Sequence, residues 1–74
     1  MTDREWIARF AASLGVPAPT DEEVEQILRL ASIAAHASAR AAAPVACWIA
    51  AGAGRPLGES LALASAIDPR VGPG

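Results

Sequence analysis

Alanine supplies 19 of the 39 apolar residues in this 74-residue chain, and no other feature constrains its fold as strongly. Alanine has the highest helix propensity and almost no side-chain volume. A chain rich in it forms helices readily and lets them approach closely, but has little with which to fill the space between them. Only 20 larger apolar side chains remain to build a core. A domain this small buries about 60% of its unfolded surface, a size at which disulfides, metals or self-association commonly supply the missing stability. Cys47 is the single cysteine, so one chain can form neither an internal disulfide nor a cysteine-based zinc site. Self-association is therefore expected, as a homodimer.

Charge excludes other classes. Eight carboxylates face six arginines and no lysine, for a formal net charge of -2. No basic stripe is present, which argues against nucleic acid, where phosphate neutralisation supplies most of the affinity. The longest uncharged run, residues 41–54, is shorter than the roughly 18–20 residues needed to span a bilayer, and reads as a buried helix. Asp3, Arg4 and Glu5 precede Trp6 without a basic-then-apolar signal region, so a cytoplasmic location is expected.

The pattern along the chain is helical throughout. Trp6, Phe10 and Leu14 recur at steps of four with Ile7 and Ala11 beside them, and Thr2 and Glu5 have capping-box spacing. Gly15 suits the left-handed stop, and Pro17 and Pro19 make an extended connector. Thr20 and Glu23 repeat the box, with Asp21, Glu22 and Glu25 adding negative charge at the positive helix end. Val24, Ile27, Leu28, Ala31 and Ala35 form a stripe, widened by Leu30, Ile33, Ala34 and Ala37, which makes the second helix the expected central element. Pro44 suits the opening of a third helix and Pro56 that of a short fourth, closed by Asp68-Pro69. The expectation is one all-α domain, a small antiparallel bundle of four helices over about 3–14, 21–40, 44–52 and 57–67, with a loose tail over 68–74.

Residues 35–44, AHASARAAAP, together with the first-helix tryptophan, the Leu14-Gly15 stop and the acidic second-helix start, resemble a family of short bacterial helical domains of unknown function. The likeness covers about residues 5–54, and its most specific part is His36, Arg40 and Ala42-Ala43-Pro44. Members of that family occur alone or fused to molybdenum cofactor guanylyltransferases, which attach a nucleotide to molybdopterin. The resemblance implies a setting near molybdenum cofactor maturation, with that enzyme or its clients as partners. This chain has Ala41 where a proline often follows the arginine, and Ala46 and Cys47 where small hydroxyl residues are common, so no hydroxyl role carries over.

Few side chains carry chemistry. His36 and Arg40 are four apart, one helix face by spacing, just before the expected amino end of the third helix at Pro44. With that helix's free amides they can form an anion pocket for a phosphorylated pterin or nucleotide. The simpler reading is that Arg40 meets the last carbonyls of its helix while His36 bonds locally. Cys47, in the first turn of the expected helix, is read as a buried structural thiol rather than a reactive one. Trp6 and Trp48 are needed first for core volume, with exposure at a dimer contact the alternative. No catalytic constellation, metal-ligand spacing or cofactor motif is present. The reading is a noncatalytic accessory or interaction module, with the anion-binding role as its alternative.

Overall fold

A computed structural model describes residues 1–69. It contains four helices, α1 (Asp3–Leu14), α2 (Asp21–Ala37), α3 (Ala42–Ala53) and α4 (Leu57–Ala66), and no strand among the described residues. The all-α expectation holds. Local chemistry sets most of the boundaries. At α2 the capping box is complete: the Glu23 amide donates to Thr20 Oγ1 at 3.1 Å and the Thr20 amide donates to Glu23 Oε1 at 2.8 Å. At α1 the Glu5 amide donates to the Thr2 hydroxyl at 3.1 Å, but that hydroxyl in turn donates to the Glu5 carboxylate, so the box is only half made. Gly15 (φ 74°) and Gly54 (φ 70°) end α1 and α3 in the left-handed region that glycine enters without steric cost.

Two boundaries differ from expectation by more than one residue, while the ends of α3 and α4 shift by one. α2 stops at Ala37 rather than running to residue 40, because Ser38 leaves helical geometry (φ -134°, ψ -91°). A tight turn follows, with the Ala42 amide donating to Ala39 O at 2.8 Å and the Ala43 amide to Arg40 O at 3.2 Å. α3 consequently begins at Ala42, and Pro44 lies at its third residue rather than opening it. The position is permitted because first-turn amides have no intrahelical partner to lose. At the other end, Asp68 is buried and its amide donates to Ser65 O, so the loose tail does not begin at residue 68. Residues 70–74 lie outside the described part.

α2 is the centre, packed extensively against α3 and α4. Cys47 Sγ lies 3.9 Å from Ile27 O, while Leu30 shares one hollow with Ala46 and Ala50 of α3 and with Leu63 and Ala64 of α4. The chain thus goes up along α2, down along α3 and up again along α4. Leu30 is the most buried apolar side chain, at 4% exposure, joined in the core by Ala11, Val24 and Leu61. Leu28, assigned to the buried stripe from the sequence, faces solvent instead. The face that meets α3 and α4 runs through Ile27, Leu30, Ala34 and Ala37.

α1 has no comparably extensive contact with another helix. Its end is capped by the Val16 amide donating to Ala11 O at 3.0 Å, and Arg4 Nε reaches Asp21 at 3.6 Å at the start of α2. The long axis of the molecule is 44 Å, against about 26 Å for a helix of α2's length, so α1 adds length rather than thickness.

Trp6 and Trp48 do not fill the core. They are exposed at 56% and 79%. Trp6 lies on α1, which no other helix covers extensively; for Trp48 the reason is the small-residue contact between α2 and α3, where α3 turns Ala43, Ala46, Cys47 and Ala50 inward and the helical rotation carries Val45, Trp48 and Ile49 to solvent.

Candidate functional site

His36, Arg40 and Pro44 are all exposed. Because α2 ends at Ala37, His36 sits in its last turn while Arg40 belongs to the following turn, and the two do not share a helix face. The imidazole folds back on its own helix, with Nδ1 2.8 Å from Ser32 O and 3.2 Å from Ser32 Oγ. The shorter contact to a carbonyl requires the proton on Nδ1. The Arg40 side chain forms no ion pair or hydrogen bond among the described residues, so it does not cap the α2 carbonyls. Pro44 presents no amide, and none of the three residues lines the large hollows described below.

Cys47 is partly buried against α2, and that burial pushes its thiol pKa above the ordinary value of 9.0. A helix beginning at Ala42 also places Cys47 beyond the first turn, away from the dipole field that lowers thiol pKa values. Both effects favour the structural reading. The acidic start of α2 is occupied with helix chemistry, Glu23 in the capping box and Asp21 beside Arg4. Among the described residues, no three His, Cys, Asp or Glu side chains gather to hold a metal ion. Nor is any helix among them long and apolar enough to cross a membrane.

What the structure does gather is apolar surface. α3 and α4 straddle α2 and leave a trough between them. One part, about 340 Å³, lies between Ile49 and Ala53 of α3 and Leu63 of α4 with Ile67 just past its end. The adjoining part, about 290 Å³, is floored by Ile33, Ala34 and Ala37 of α2. Both parts share Leu30, Ala46, Ala64 and Ile67, so they are one continuous depression. Its polar rim consists of Ser38, Ser60 and Arg55, the last paired with Glu59 at 2.6 Å. On α1, Trp6 and Phe10 stack with ring centroids 5.2 Å apart and planes 18° from parallel, forming one exposed aromatic plate beside Leu14.

Sequence reasoning brought Trp6 and Trp48 forward but missed Ile49, Leu63 and Ile67 as surface residues. Ile67 is 83% exposed. A signal was present in α3, whose twelve residues AAPVACWIAAGA include no charged side chain. A helix apolar on every side is normally covered on every side. No curated protein and no solved structure matches the chain. The family model described as Domain of unknown function (DUF6457) matches residues 2–70, and the chain belongs to that family.

Proposed function

We propose that this protein is a noncatalytic helical interaction module that assembles through its apolar faces with a second copy of itself. One observation carries the reading: the large apolar side chains left at the surface outnumber those in the core. Val45, Trp48 and Ile49 on α3, Trp6 and Phe10 on α1, and Leu63 and Ile67 around α4 are exposed, whereas among the described residues the core holds only Ala11, Val24, Leu30 and Leu61.

The areas support a second copy as the cover. A compact monomer of 7.5 kDa exposes about 4,200 Å² by size scaling. This chain exposes 5490 Å², an excess of more than about 1,000 Å². Two copies that hide this excess from each other bury about 2,000 Å² in total, which is enough for a stable homodimer. The resemblance carried by His36, Arg40 and Ala42-Ala43-Pro44 supports placing the module in molybdenum cofactor maturation, in the cytoplasm, beside the guanylyltransferase or its clients.

Sedimentation velocity at micromolar concentration tests the assembly, with a particle of twice 7.5 kDa expected. A monomer throughout that range would overturn it. The cofactor setting is tested separately by titrating the chain with a purified molybdenum cofactor guanylyltransferase of the same cell, and absence of binding removes that part.

A further inference from the structure

We propose that the two copies exchange their first helices: α1 of one chain lies in the trough between α3 and α4 of the other, and its Trp6–Phe10 plate covers Ile49, Leu63 and Ile67. The inference rests on the self-association proposed above and says how it is built.

Three observations meet in it. First, the trough has the shape left when one helix is missing from a four-helix bundle: α2 is its floor, α3 and α4 are its walls, and its lining is apolar. Second, the lengths agree. The trough runs along α3 from Ala42 to Ala53, and α1 has the same 12 residues, about 18 Å of helix each. Third, α1 offers the complementary surface. Its Ile7–Ala11 edge is occupied within its own chain, while Trp6, Phe10 and Leu14 are open along the adjoining edge. Stacked rings bring large area at little further ordering cost, since each already restrains the other.

The occupant is the second copy rather than the chain's own α1 because α1 lies beside the start of α2, away from the trough floor. Arg4 Nε lies 3.6 Å from Asp21, the first residue of α2. The trough floor, Leu30 to Ala37, lies about 14–24 Å further along α2 from that anchor. Pro17 and Pro19 keep the connector extended instead of letting it fold α1 over.

The test uses full-length chains in a Cys47→Ala background, one carrying Phe10→Cys and the other Ile49→Cys, mixed and treated with a short bis-maleimide. A cross-linked pair of unlike chains is the expected product, with helical circular dichroism unchanged from the parent. In parallel, Phe10→Glu and Leu63→Glu should each weaken self-association at least tenfold, while Leu28→Glu, exposed outside the trough, leaves it unchanged. A dimer that forms without the cross-link, and that Phe10→Glu does not weaken, overturns the exchange and leaves self-association standing. Cross-linking within one chain carrying both cysteines, at a monomer's mass, overturns the exchange in favour of α1 closing on its own trough. A monomer without cross-links overturns both proposals. If a variant loses helicity, the unlike-chain cross-link decides, since it replaces only exposed side chains beyond Cys47.

Discussion

Leu30 and Cys47 show what single side chains do where larger neighbours are scarce. Leu30 is the most buried of the large α2 side chains set between α3 and α4. Leu30→Ala should cost about 2–5 kcal/mol, because the alanines around it cannot close the void. For a domain of this size that is enough to unfold much of the population, and chemical denaturation measures it. Cys47 is the residue whose protonation couples to folding. Burial raises its pKa above 9.0, so the folded state holds the proton more tightly than the unfolded state does. The stability this contributes is fully present below 9.0 and is lost as the pH climbs through the raised folded value. Urea midpoints of the parent should fall more steeply above pH 9 than those of Cys47→Ala, and at pH 8 a disulfide reagent should label the unfolded thiol faster than the folded one. Equal labelling rates would mean the thiol is not shielded by α2.

At the level of elements, legibility followed how local the determining physics is. Thr20 and Glu23 make the start of α2 from four adjacent residues, and Gly15 ends α1 within one turn, so both could be read directly. The end of α2 could not, because Ala39, Ala41 and Ala42 favour helix and nothing in the run is a breaker. The break at Ser38 lets α3 turn back onto α2, a tertiary effect outside local propensity. These distinctions have measurable consequences. Thr20→Ala removes a complete box at the central helix and should cost about 1 kcal/mol, or roughly 4–8 °C in midpoint. Thr2→Ala removes half a box from the peripheral helix and should cost less. α3 offers an opposed pair: a Cβ at Gly52 or at Gly54 would meet no atom within 4 Å, so backbone alone decides. Gly52→Ala, inside the helix, should stabilise by about 0.5–1 kcal/mol. Gly54→Ala, at φ +70°, should destabilise by about 1 kcal/mol. Thermal melts that move both in the same direction would contradict the assigned end of α3.

For the whole molecule, the hidden information was which apolar faces find a partner within their own chain. Hydropathy identifies Trp48 and Ile49 as apolar but says nothing of the side of α3 that meets α2, and alanine contacts decided it by leaving no room for the larger residues. The same reasoning separates the polar candidates from the apolar ones: His36 and Arg40 were conspicuous in the sequence, yet the imidazole bonds to its own helix and the guanidinium to no described residue. If folding and assembly are one process, stability depends on how much protein is present. Each tenfold rise in concentration then adds about 1.4 kcal/mol per dimer, or roughly 3–6 °C for two chains unfolding together. Salt should matter little, because the covered surface is apolar and the ion pairs near it, Arg55–Glu59 and Arg4–Asp21, are exposed. Calorimetry from 10 µM to 1 mM at two ionic strengths reads both dependences. A midpoint that follows concentration but not salt ties the native state to its apolar cover, whereas a concentration-independent midpoint would require the bare faces of α1 and α3 to be stable in water.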